Sequence, residues 1–188
     1  MKKIQKGEYG YHHQQTIKVA AGAAVLYIAA LAIYFTARRI LGSNQNLFTI
    51  LAVVLLLPAA KITVNLIMLL RAGECPAEVH AQIEEHTGQL DNAYNLYCTT
   101  EKSNYNLCHF TVGGKSIAAL TLDSKCDCRA GEQHIRRMMT GNGIHGYQIK
   151  IFSNLNAYLT RMDQLYDLET AEHTDHAALM QLMNQISL

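Results

Sequence analysis

VAAGAAVLYIAALAIYFT (residues 19–36) and LFTILAVVLLLPAAKITVNLIMLL (residues 47–70) are two apolar runs separated only by the polar stretch ARRILGSNQN. At about 1.5 Å of rise per residue, each run is long enough to cross a hydrocarbon core of about 30 Å. Within that solvent every backbone N–H and C=O must be satisfied inside the segment, so both runs are expected to be helices. The short connection folds them into an antiparallel hairpin. The chain then divides into a basic tail (1–18), a transmembrane hairpin (19–36 and 47–70) and one small soluble domain (71–188).

The near-neutral net charge of +1 conceals a split. Eight of the 16 Lys/Arg but only one of the 15 acids, Glu8, lie at or before Arg71, which leaves eight against fourteen beyond it. The first part therefore carries +7 and the second −6. An acidic domain does not suit a generic nucleic-acid binder, whose affinity rests on neutralising phosphates. Lys2, Lys3, Lys6 and Lys18 in the tail and Arg71 after the second run outweigh Arg38 and Arg39 in the connection. By the positive-inside rule both termini are cytosolic and the chain is a two-span protein of the cell membrane. The polar tail and the second run argue against a cleaved signal peptide. Five cysteines, Cys75, Cys98, Cys108, Cys126 and Cys128, lie in the soluble part without regular spacing, which suits a reducing compartment.

Within the runs, Ala20 and Ala24, and Ala29 and Ala32, form shallow patches on different sides of the first helix. One face would pack on the partner helix and leave the other for a second copy, a homodimer within the bilayer. Pro58 is expected to kink the second helix. Lys61 and Asn65 share one of its faces, and Lys61 is expected to snorkel or pack against the first helix. Tyr9, Tyr11, His12 and His13 are expected at the headgroup level, where amphipathic rings are favoured. The adjacent histidines lack further partners for a metal.

The soluble part reads as a helix (77–86), three alternating segments (92–100, 105–112 and 116–125), a helix (130–140), a strand (146–154) and helices over 155–168 and 174–186. EKSN and Gly113-Gly114 mark the turns between the first three strands. The apolar third strand belongs at the sheet's centre. The fold class is α+β, with helices packed on a mixed sheet.

That order, α-β-β-β-α-β-α, resembles the core of the PD-(D/E)xK superfamily, the restriction-endonuclease-like fold, over about residues 77–168. The residues that carry the likeness are Asp123-Ser124-Lys125 at the end of the third strand, Glu84 or Glu85 on the first helix, and Gln133 on the helix after the third strand. The resemblance implies a magnesium site built on Asp123 and Glu85, with Lys125 and Gln133 completing a catalytic set that hydrolyses phosphodiesters. Two residues apart on a strand, Asp123 and Lys125 would share a face. The second strand departs from the pattern: Asn106 stands where an aspartate is required, and a neutral amide is a poor magnesium ligand.

Other constellations are weaker. Cys126-Asp127-Cys128 with His134, or with Cys108-His109, offers zinc-ligand types without the usual spacing. His173 and His176 lack a third ligand, and Gly113-Gly114-Lys115-Ser116 lacks the phosphate-loop frame. The sequence thus points to a membrane-anchored interaction or sensory module on a degenerate nuclease-like fold, without catalysis. The alternative is a membrane-tethered, magnesium-dependent nuclease acting on DNA. Lipid and a second copy are the expected partners, and nucleic acid enters only under the alternative.

Overall fold

The structure, a computed structural model, describes residues 4–42, 46–100, 103–171 and 174–187. It divides into two compact units, one of residues 12–71 and one of residues 1–11 with 72–188. The first unit is a pair of long apolar helices, α1 (Tyr11–Leu41) and α2 (Leu47–Ala72), both long and apolar enough to cross a membrane. Pro58 lies inside α2, and the helix continues through it.

The two helices meet along a seam of alanines. Ala23, Ala30 and Ala37 on α1, and Ala52 and Ala59 on α2, are the buried small residues. They recur every seven residues, the spacing that keeps one stripe facing a helix partner. This is neither of the alanine pairs expected from the sequence: Ala20 and Ala29 are half-buried, and Ala24 and Ala32 are exposed. The pair is tied at one end and near its middle by polar groups. The His12 Nε2 lies 2.7 Å from the Leu69 carbonyl, and the Tyr27 hydroxyl lies 3.0 Å from that of Thr63. Lys61 and Asn65 are exposed, so within this unit Lys61 does not pack against α1.

The second unit is a three-layer domain. Its elements are α3 (Ala77–Thr87), β1 (Asp91–Thr99), β2 (Asn104–Gly113), β3 (Ser116–Leu120), α4 (Cys128–Gly141), β4 (Gln148–Phe152), α5 (Leu155–Ala171) and α6 (Ala177–Ile186). The sheet order is β1-β2-β3-β4, with β1, β2 and β3 antiparallel and β4 parallel to β3 across α4. The apolar third strand is internal, as its composition requires, together with β2. One face packs Leu107, Phe110, Ile117 and Ile151 against Ile135 and Met139 of α4 and Leu179 and Met183 of α6. The other packs Tyr94, Cys108, Ala118 and Leu120 against Ile83 of α3 and Tyr158, Met162 and Leu165 of α5. Burying each such large side chain contributes about 1.5–3 kcal/mol.

Two local devices fix the layers. The hairpin turn is Gly114-Lys115, flanked by the Gly113↔Ser116 pair, and the Gly114 N–H donates to Glu169 Oε2 at 2.7 Å. A Cβ on Gly113 would collide with the Leu165 carbonyl oxygen, so only glycine lets α5 approach this closely. On the other face Asp127 caps α4, its Oδ1 accepting from the Ala130 N–H at 3.0 Å. Such a cap contributes about 1 kcal/mol.

Several sequence expectations need correction. β3 stops at Leu120, five residues short of the expected end, because its pairing with β4 ends at Leu120↔Phe152. The last helix begins at Ala177, not 174. Glu101 and Lys102 of the EKSN turn, and His173 of the histidine pair, lie outside the described residues. Of the residues expected at the headgroup level, Tyr9 packs on the domain and His12 is buried within the helix pair.

Candidate functional site

The residues of the nuclease resemblance sit as follows. Asp123-Ser124-Lys125 is in the loop after β3, so the shared strand face does not exist. There the Asp123 Oδ1 accepts the Lys125 backbone N–H at 2.9 Å, closing a turn of the kind aspartate favours. Both residues are exposed, as is Glu85 on α3. Glu84, one residue earlier, accepts the Tyr94 hydroxyl at 2.8 Å. Gln133 is exposed on α4 beside Arg136 and Arg137. Among the described residues no group of three or more His, Cys, Asp and Glu side chains is placed to hold a metal. A magnesium ion needs converging oxygens, and these residues do not fit one. Asn106, which the resemblance sets in place of an aspartate, donates its amide to the Ala72 carbonyl at the end of α2.

The zinc-ligand types are likewise dispersed. Asp127 is the cap of α4 and Cys128 its first residue, so the C-x-C stretch is a helix start. Cys128 packs on the α4/α6 side of the sheet, whereas Cys108 packs on the α3/α5 side. His134 stacks on Tyr105 at 5.9 Å. His176 is nearly buried, with Nε2 3.0 Å from Glu169 Oε2 and Nδ1 3.1 Å from the Tyr147 hydroxyl. Burial pushes the Glu169 carboxyl up, but the bonds from His176, Gly114 and Thr174 outweigh it, and the net shift is downward. This triad clasps the β2–β3 turn, α5, the start of α6 and the approach to β4.

The site that does assemble lies on the α3/α5 face of β1 and β2. Strand side chains alternate with a period of two, so residues three apart belong on opposite faces. Yet Ala93 and Leu96 both pack in the α4/α6 core, and so do Leu107 and Phe110. The break sits at Asn95, whose φ of 55° is in the left-handed region within a strand. The paired residues Tyr94↔His109 and Leu96↔Leu107 keep one register on either side of it. The distortion turns consecutive residues, Cys108 and His109, toward the same layer.

That layer is rich in polar groups. His109 is fully buried, and its Nδ1 lies 2.6 Å from the Tyr158 hydroxyl, also fully buried. The rings of Tyr94 and His109 are 4.3 Å apart, and those of His80 and Tyr94 4.9 Å. Tyr9 stacks flat on His80 at 3.7 Å. Burial, with His80 adding to it, pushes the His109 imidazole down to about 3, so it is neutral. Burial and the bond to Glu84 push the Tyr94 phenol far up. Neither group is set up as an acid or base at neutral pH. Among the described residues four buried side-chain polar atoms have no hydrogen-bond partner, and His80 Nδ1, Asn95 Nδ2 and His109 Nε2 are three of them, with Glu84 Oε1 3.8 Å from His80 Nδ1.

Around this layer the domain holds two incoming segments of chain. The Tyr94 N–H donates to the Gly7 carbonyl at 2.7 Å, and the Lys6 ammonium donates to the Ser187 carbonyl at 2.7 Å. One residue along β1, the Asn95 Oδ1 accepts the Cys75 N–H at 2.8 Å. With Asn106 on Ala72, two asparagines thus seat the stretch that follows α2. A cleft of about 300 Å³ opens beside the tail, between Lys6, Glu8 and Tyr9 on one side and Glu84, Asn92 and Tyr94 on the other. From sequence, Asn106 stands out only as a departure from the nuclease pattern, and Asn95 not at all. Asparagine is disfavoured in strands, and Asn95 and Asn106 amid aromatic, alternating segments were the available signal. Comparison of the chain with known protein families, curated proteins and solved structures finds no match.

Proposed function

We propose that this chain is a membrane-anchored sensory or interaction module whose domain binds both segments flanking its apolar hairpin, and that it does not hydrolyse phosphodiesters. The observation that carries this reading is the use of neighbouring residues of β1: Tyr94 takes Gly7, ahead of α1, and Asn95 takes Cys75, after α2. A domain that merely hung from an anchor would have no need of strained backbone to hold it. A φ in this region costs an asparagine on the order of 1 kcal/mol, and such strain clusters where structure is tied to a task. The helices cross the cell membrane, with tail and domain in the cytosol on the side of the lysine excess. The likeness to the nuclease-like fold then concerns the layout of the layers alone, with Asn106 serving the linker instead of a metal. A second copy docks on the outer face of the hairpin, where Ala24 and Ala32 are exposed.

The test has two arms. The chain should remain with membranes after alkaline carbonate extraction, and a reporter fused after Leu188 should be active in the cytosol only. The purified full chain, given magnesium or manganese, should leave plasmid and linear DNA intact. Membrane release, or a reporter active only outside the cytosol, overturns the anchoring. Metal-dependent cleavage that disappears in Asp123→Asn would replace this reading with that of a tethered nuclease.

A further inference from the structure

The two helical layers of the domain carry opposite charge. On one face of the sheet, α3 and α5 together hold six carboxylates and a single Lys/Arg cation, Arg161. On the other face, α4 and α6 hold three arginines and a single carboxylate, Glu132. The arginines, Arg129, Arg136 and Arg137, are all exposed, and the last two line one recess with Gln133 and Thr140. Glu132 is turned away from them: its side chain is 15% exposed, and its Oε1 accepts the Ile151 N–H at 2.9 Å with Lys150 3.4 Å away. Among the described residues none of the three arginines forms an ion pair.

Across the sheet, Glu78 and Glu85 on α3 and Asp163 and Asp167 on α5 are exposed, and the 2.6 Å bond of His86 to Asp163 ties the two helices side by side. Arg161 bonds to Gln164, and Lys6 of the tail to the Ser187 carbonyl. The spacing of the two layers matches as well as their sign. Arg129 and Arg136 stand seven residues apart, as do Glu78 and Glu85, so each pair repeats after about 10 Å on one side of its helix. An α4 laid along an α3 therefore meets both carboxylates at once. Single exposed pairs contribute little, and it is a set in register that gives an oriented contact. One chain cannot make this match by itself, because the sheet lies between its own two layers. The whole chain carries +1, so copies do not repel one another as net charges.

We propose that the domain associates with copies of itself head to tail, the basic outer face of α4 on one copy docking on the acidic outer face of α3 and α5 on the next. Such a contact is heterologous. A pair still shows one unused layer of each sign, so association continues past the dimer, into a ring if the rotation closes and a row if it does not. It differs in kind from docking through the apolar helices. Exposed charges are screened beyond about 10 Å at 0.1 M salt and about 3 Å at 1 M, whereas an apolar contact is not weakened by salt. The proposal stands on the domain's own layers and does not depend on where the helices sit.

The experiment follows the mass of the full chain in a nonionic detergent by analytical ultracentrifugation. In 0.1 M salt the native chain should form species larger than a dimer, and 1 M salt should weaken their association at least tenfold, an arm that needs no variant. Arg129→Glu with Arg136→Glu and Arg137→Glu makes both layers acidic. Glu78→Lys with Glu85→Lys and Asp167→Lys makes both basic. Either triple variant alone, with native circular dichroism, should lose the larger species, and an equimolar mixture of the two should regain association. A native chain that stays monomeric, or forms only a dimer that salt and both reversals leave unchanged, overturns the proposal. So does a mixture of the folded variants that fails to associate. Two other partners for the arginines would overturn it equally. In one, a chain that does not associate in detergent becomes protected from trypsin at Arg136 and Arg137 in nanodiscs containing one-third phosphatidylserine, but not in phosphatidylcholine alone. In the other, that chain retains a labelled DNA duplex.

Discussion

His109 is held neutral by its surroundings, and the sign of its effect on stability follows from that. In the unfolded chain its imidazole takes a proton near pH 6.5, and in the fold only near pH 3. Below 6.5 the unfolded state binds a proton that the folded state refuses, so stability is whole above that pH and declines as pH falls toward 3. Each pH unit in this window is worth about 1.4 kcal/mol from one such group. Glu169, whose pKa is lowered, acts further down: its contribution is present above its ordinary 4.5 and is lost below it. A thermal or urea transition of the full chain in detergent should therefore weaken from pH 7 to pH 5, before the carboxylates titrate. In His109→Gln, which keeps a hydrogen-bonding group for Tyr158 but cannot titrate, that slope should flatten. Equal slopes in the two proteins would mean that His109 charges freely, against its burial. The sequence placed His109 on the second strand but gave no hint of this environment, because the face reversal at Asn95 is not written in the alternation.

At the scale of elements, most of the architecture was legible. Periodicity located the two apolar helices and the strands and helices of the domain, and Gly113-Gly114 located the tight turn to within one residue, the turn itself being Gly114-Lys115. The limits were of two kinds. The β3 boundary depends on where β4 stops pairing, a non-local event, and so the apolar residues after Leu120 read as strand. The helix seam depends on which of many alanines face inward, and Ala23, Ala30 and Ala37 recur at a spacing masked by equally small neighbours. The seam makes a direct expectation. Replacing Ala30 and Ala59 with leucine puts branched side chains where almost no space exists, and overpacking costs about 1–3 kcal/mol per site. A thiol cross-link between cysteines at positions 27 and 63, which bond to each other in the native chain, should then form poorly. Ala24→Leu with Ala32→Leu should spare that cross-link and reduce cross-linking between copies. The reverse pattern would assign the outer alanines to the hairpin and the seam to nothing.

At the scale of the whole molecule, the second unit includes chain from both ends of the helix pair: the tail to Tyr11, and everything from Ala72 onward. A sequence reading sees a free basic tail and a linker, since their partners lie far away in the chain: Gly7 pairs with Tyr94, Ala72 with Asn106 and Cys75 with Asn95. The candidate nuclease residues were the opposite case, close in motif but spread over the surface of the fold. The proposed module requires that the domain hold both segments at once. Hydrogen–deuterium exchange of the full chain in lipid nanodiscs reads this directly. The amides of Tyr94 and Cys75 should be protected for minutes to hours in the native chain. Asn95→Ala with Asn106→Ala should release the peptide covering residues 72–76 while β2 and β3 stay protected. If residues 72–76 instead exchange within seconds in the native chain, as an unbound linker would, the domain does not seat its linker and the central claim is wrong.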